Sequence, residues 1–183
     1  IEGFVGFGGG FVGVGGAGAV VQTGLQATVV GERGKSDRIG AMGSELAKRS
    51  GLCSGFVIMP DHVHALIWFP EVEQLSSFMD VWKTQTSRSI KNLNRSEFGN
   101  SWQHVPEAAP IWQARCYGFN LWSRRKLEEK LADMHQVPVR AGLVEHLVDW
   151  PWSSARWYEE RKSVESTIQW PSGMEFDEKF TVR

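Results

Sequence analysis

Cysteine is scarce in this 183-residue chain, with two residues, Cys53 and Cys116. That count excludes a disulfide-stapled scaffold and a four-cysteine zinc site, and it fits a reducing, cytoplasmic setting. Net charge is nearly absent too, at -1, which excludes a polybasic tail protein while saying nothing of local patches. The one long apolar stretch, at the N-terminus, is broken by glycines before it reaches the roughly 20 residues that a membrane helix needs. No basic segment precedes it, so it is a poor signal peptide as well, and no membrane is expected as a partner. Tyrosine occurs only twice, at Tyr117 and Tyr158.

Glycine is what the N-terminus has in excess: half of the first 18 residues are Gly. Each one raises the entropic cost of ordering the backbone, so residues 1–33 read as a glycine-rich irregular or disordered segment. The competing reading makes Ala19–Val30 a weak strand on its β-branched content. A start at Ile1, with no Met, fits a fragment or a mis-framed beginning. Composition becomes globular near Gly34, which predicts a domain over 34–158 and a C-terminal tail over 159–183.

Residues 37–49 predict a helix with Ile39, Met42 and Leu46 on one face. Two apolar runs, FVIM and VHALIWF, flank Pro60-Asp61, a turn signal in which Pro fixes φ and Asp bonds nearby backbone. Leu75, Phe78, Met79, Trp82, Thr86 and Ile90 recur at helical spacing and predict one long helix over 73–93. Residues 94–110 read as a loop and 111–122 as a strand. Ser123 is a plausible N-cap for a helix from Arg124 to about Gln136, ended near Pro138. This order predicts an α+β fold, a ferredoxin-like antiparallel sheet with helices packed on one face. Its opening strand has to come from the glycine-rich segment and is the weakest element.

The sharpest chemical feature is Pro60-Asp61-His62-Val63-His64. On a strand, His62 and His64 project to one face while Val63 points to the other, so both imidazoles can approach one metal ion. A bland pair of half-buried sheet histidines satisfies the same spacing. A histidine-triad hydrolase would want a third alternating histidine at 66, where Leu66 stands.

VIMPDHVHALIWF resembles the HUH signature (His, hydrophobic residue, His) of the single-tyrosine transposases of insertion sequences, especially their REP-associated branch. IWQARCYGFNLWSRRKLEEKLADMHQVPVRAGLV is similar to that branch's strand and helix, and DWPWSSARWY to its Trp-Ser-Ser tail. The resemblance implies binding of single-stranded or hairpin DNA. It also implies cleavage and rejoining through a 5′-phosphotyrosine, a divalent metal (Mg²⁺ or Mn²⁺) at His62 and His64, and a homodimer. Aligned on PVRAGLV, Asp133 stands where the nucleophilic tyrosine belongs, and Val137 where the family has a metal-binding Asn. An aspartate cannot form the phosphotyrosine link. Tyr117 is the substitute candidate, with a packing role as the plainer reading, and Tyr158 reads as packing.

An electrostatic argument stands beside the resemblance. Between Lys83 and Arg140 ten Lys/Arg face five acids, a basic stretch inside a neutral chain. Lys83, Arg88, Lys91, Arg115, Arg124, Arg125, Lys130 and Arg140 are therefore the candidate DNA contacts, with a solvated helix face as the plain alternative. Trp102, Trp112 and Trp122 are candidate stacking platforms. His104, His135 and His146 show no partner spacing. Three readings follow: a transposase, a catalytically silent DNA-binding descendant, and a decayed product that barely folds.

Overall fold

The structure is a computed structural model that describes residues 17–25, 32–71, 73–102, 104–114, 117–120 and 124–174. Four strands, β1 (Ala17–Gly24), β2 (Leu52–Ile58), β3 (His62–Phe69) and β4 (Tyr117–Asn120), form one sheet in the order β2-β3-β1-β4. All three pairings are antiparallel. With helices α1 (Glu32–Ala47) and α2 (Gln74–Glu97) as the crossovers, this is the ferredoxin-like βαββαβ plan. The expected hairpin, long helix and α+β class are all present.

The glycine-rich start holds the clearest departure from expectation. Residues 17–24 are an interior strand of the sheet, paired on both sides, so the irregular reading of 1–33 fails there. Ala19, Val21 and Thr23 are buried on one face while Gln22 is exposed, the period-2 alternation of a half-covered strand. The first 16 residues lie outside the described part.

Val63, Ala65 and Ile67 continue the face of Val21 and Thr23. They enclose a small apolar space with Met42 of α1 and Phe78, Met79 and Trp82 of α2. The predicted α2 stripe, Leu75, Phe78, Met79, Trp82, Thr86 and Ile90, is buried throughout. Both crossover helices therefore lie on one face, as expected.

Another helix, α4 (Arg124–His135), lies on the other. Gly55 of β2 pairs with Leu66, on the side of His64, and a Cβ on Gly55 would stand 2.5 Å from Leu131 and 2.7 Å from Met134. Glycine here lets α4 seat on the strand. Three short α-helices and one 3₁₀ turn complete the order: α3 (Gly99–Trp102) before β4, then α5 (Val137–Arg140), the 3₁₀ turn (Leu147–Asp149) and α6 (Ala155–Glu160) after α4. Residues after 158 are more than a tail. Gln169 N–H donates to Cys53 O at 2.8 Å, Ser54 Oγ–H donates to Gln169 O at 2.9 Å, and Ile168 is buried. Together with the Val57–Ser153 bridge, they cover the outer edge of β2. Among the described residues no helix is long and apolar enough to cross a membrane.

Candidate functional site

His62 and His64 occupy the turn-proximal end of β3, on the face away from α1 and α2. Their rings meet edge to face with centroids 4.8 Å apart. The Pro60-Asp61 turn positions the first ring, because His62 Nδ1–H donates to Asp61 Oδ1 at 2.7 Å. That bond leaves Nε2 as the nitrogen Asp61 does not hold, the arrangement in which a carboxylate orients a ligating imidazole. His64 is half-buried, and its pKa is pushed down to about 4 by burial, then by His62 and by Arg140. It is a neutral ring at pH 7, ready to offer a lone pair.

Arg38 braces the turn from the opposite side. It is fully buried, donating from Nε to Gly34 O at 3.2 Å and from Nη2 to Met59 O at 3.3 Å. Burial lowers its pKa to about 10, with Asp61 opposing, so it stays charged at neutral pH. Sequence reasoning missed it, since no short-range motif marks an arginine that acts across 21 residues.

Asp133 sits exposed near the end of α4, with its carboxylate 3.8 Å from Lys130 Nζ and its carbonyl accepting from Arg140 Nη2. Val137, one turn on, is half-buried. Tyr158 is buried, donates its hydroxyl proton to Ser54 O, and has its pKa raised by burial. Tyr117 lies on β4 opposite Gln22, which on its other side lies opposite His64. The three residues thus form one cross-sheet row, with Tyr117 two strands, or about 10 Å, from His64.

The candidate DNA contacts divide by the sheet. Arg124, Arg125, Lys130 and Arg140 belong to α4 and α5, over the histidine face; Arg124 pairs with Glu128 at 2.8 Å. Lys83, Arg88 and Lys91 belong to α2, on the opposite face. Lys83 Nζ donates to Gln113 O at 2.9 Å, and Lys91 Nζ to Glu107 O at 2.5 Å. Arg88 and Lys91 line an open groove of about 530 Å³ with Arg95 and Glu107, which pair with each other. Arg115 lies outside the described residues. Trp102 and Trp112 are buried, and Trp112 Nε1–H donates to Thr86 Oγ1, so neither can stack on a base; Trp122 lies outside the described part.

His135 also escaped the sequence reading. It is wholly buried with Nε2 2.7 Å from Ser154 Oγ, which itself accepts from Phe56 N–H at 2.9 Å and donates to Phe56 O at 3.2 Å. This chain of bonds ties α4 to β2. Its partner is 19 residues away, and the Trp152-Ser153-Ser154 run was the available clue.

The sequence profile of the family described as "Transposase IS200 like" matches residues 27–119, just over half of the chain and including both histidines. The chain belongs to this IS200-like transposase family. A curated relative from Haemophilus influenzae (strain Rd), named as a REP-associated tyrosine transposase, is 33% identical over 98 residues. That alignment covers 53% of this chain and 54% of the relative, so the chain spans about half the length of the curated protein it matches. Among solved structures, a REP-associated tyrosine transposase bound to a REP hairpin superposes with a TM-score of 0.63 at 17% identity. The superposition covers 94% of this chain and 95% of that one. The IS200-like fold therefore extends through α4 and the C-terminal segment, beyond the residues that the profile matches.

Proposed function

We propose that this IS200-like protein binds hairpin-bearing single-stranded DNA with a phosphate facing His62 and His64, and that it has lost tyrosine-mediated cleavage. The observation that carries this reading is the histidine pair itself: two rings 4.8 Å apart on one sheet face, with Arg140 close enough to depress His64. The two rings would offer imidazole nitrogen to a divalent cation, and Mn²⁺ or Mg²⁺ bound there would neutralise charge on the phosphate. Among the described residues no third His, Cys, Asp or Glu joins them.

Arg124, Arg125, Lys130 and Arg140 supply cations on the same side as the rings and are the first candidates for phosphate contact. Lys83, Arg88 and Lys91, across the sheet, would reach a different part of the DNA. The relative's and the neighbour's names, transposase and REP hairpin, support the ligand class. The side chains available support the loss of cleavage. Asp133 cannot form a phosphotyrosine, and Tyr158 is buried with its hydroxyl engaged. Tyr117 is the remaining hydroxyl, in the row of His64 but on a strand instead of α4. A homodimer belongs to the same reading.

Incubation with a hairpin-bearing single strand and Mn²⁺ tests both parts. The expected result is a retarded complex on a native gel and no covalent species on a denaturing gel. A covalent adduct abolished by Tyr117→Phe would show that cleavage survives, and absence of any complex would remove the DNA-binding reading.

A further inference from the structure

Two glutamines flank the histidine pair, and neither was a candidate on sequence grounds. Leu25 N–H donates to Asp61 O at 2.6 Å, so residues 25 and 61 form a hydrogen-bonded pair of the β1–β3 ladder. Alternation then makes Gly24–His62 and Gln22–His64 non-hydrogen-bonded pairs, the kind in which facing side chains lie closest. The backbone of His62 turns the other way, accepting from Met59 N–H across to β2. Gln22 therefore stands directly beside His64, exposed on the same face.

Opposite His62 the strand carries no side chain. The space belongs instead to Gln113. A Cβ built on Gly24 would stand 2.9 Å from both Cδ and Nε2 of Gln113 and 3.1 Å from its Oε1. That Cβ would point to the histidine face, because Gly24 has the parity of Gln22. The Gln113 amide thus lies where a residue facing His62 would be. Its backbone is fixed there by Gln113 N–H donating to Gly24 O at 2.9 Å and by Lys83 Nζ donating to Gln113 O. Neither glutamine side chain has a hydrogen bond to a described residue, and Gly24 makes room for one of them. Two amides with spare oxygens thus border two imidazoles.

We propose that Gln22 and Gln113 are the oxygen donors of this site, their side-chain amides joining His62 and His64 around a hard divalent cation. The proposal rests on the reading of the histidine pair given above and adds what that pair lacks. Imidazoles alone favour Zn²⁺ and its neighbours, whereas amide oxygens shift a site toward Mn²⁺ and Mg²⁺. It also accounts for a family position left empty, since Val137 offers no donor in place of the family's Asn.

Titration of the full chain with Mn²⁺, followed by the electron paramagnetic resonance of the free ion, separates the possibilities. Gln113→Ala and Gln22→Ala should each weaken Mn²⁺ on the order of tenfold while changing Zn²⁺ affinity much less. Gln113→Glu should restore or strengthen Mn²⁺ binding. Gly24→Ala, which leaves both amides in place but forces that of Gln113 aside, should weaken Mn²⁺ as Gln113→Ala does. If both glutamine variants bind Mn²⁺ like the parent while the His62→Ala, His64→Ala double variant does not, the amides are bystanders and only the histidine reading stands. If the double histidine variant also binds normally, the site itself is misread. A parallel fall in Mn²⁺ and Zn²⁺ affinity would likewise overturn the oxygen-donor role, because it would reflect damage to the histidines.

Discussion

Acid should loosen the seat of α4, and His135 is the reason. Its ring is wholly buried, and burial pushes its pKa down to about 3 from an ordinary value of 6.5. The bonding pattern explains why a proton is unwelcome. Ser154 Oγ accepts from Phe56 N–H and donates to Phe56 O, so its remaining role is to accept from Nε2–H of a neutral ring. Nδ1 has no partner, and a proton there would create a buried donor with nothing to bond. The unfolded chain takes up this proton near pH 6.5 while the folded chain resists until about 3. The contribution is therefore intact above pH 6.5 and is lost progressively as pH falls between the two values. At about 1.4 kcal/mol per pH unit, the loss from this one ring reaches roughly 3 kcal/mol at pH 4. His64, with its pKa near 4, adds to the same slope. Urea denaturation of the parent and of His135→Leu at pH 7 and at intervals down to pH 4 measures the difference. The variant should start lower, having lost a hydrogen bond and gained a poorer fit, yet fall less steeply. Parallel slopes in the two proteins would mean that His135 titrates normally and is not sealed against β2.

Gly55→Val should cost about 1–3 kcal/mol in urea denaturation, since even the first added carbon meets Leu131 and Met134 at 2.5 and 2.7 Å. An unchanged midpoint would place α4 elsewhere. Arg124→Gln with Arg125→Gln should weaken hairpin DNA binding and lower the slope of log affinity against log salt by about two, one for each phosphate left without its cation. An unaltered slope would mean that this face of α4 does not meet the backbone.

How far the sequence could be read depended on the range of the interactions involved. The α2 stripe was legible because helical periodicity is local, and all six predicted residues are buried. The hairpin was legible because Pro60-Asp61 carries its own turn chemistry. β1 was obscured by composition: Ala17, Gly18, Ala19 and Gly24 look like a disordered tract, and only the neighbouring strands give them order. Gly24 shows the point most clearly, since a residue that weakens a strand locally leaves the space that the Gln113 side chain occupies. The placement of α4 across the sheet from the crossover helices had one local signal, Gly55, which has no meaning until its partner helix is known. Within the candidate site, the spacing of His62 and His64 placed both on one strand face, while a role for them came only with the family resemblance. Arg38, His135, Gln22 and Gln113 were not legible, because each acts through strand register or through a partner many residues away.

Whether the two imidazoles on β3 grip a divalent cation is decided by Mn²⁺ binding to the intact chain. The parent should bind one Mn²⁺ per chain, and His62→Ala, His64→Ala should abolish that binding while leaving the thermal melt largely unchanged. Equal Mn²⁺ affinity in the two proteins would mean that the histidine pair holds no metal.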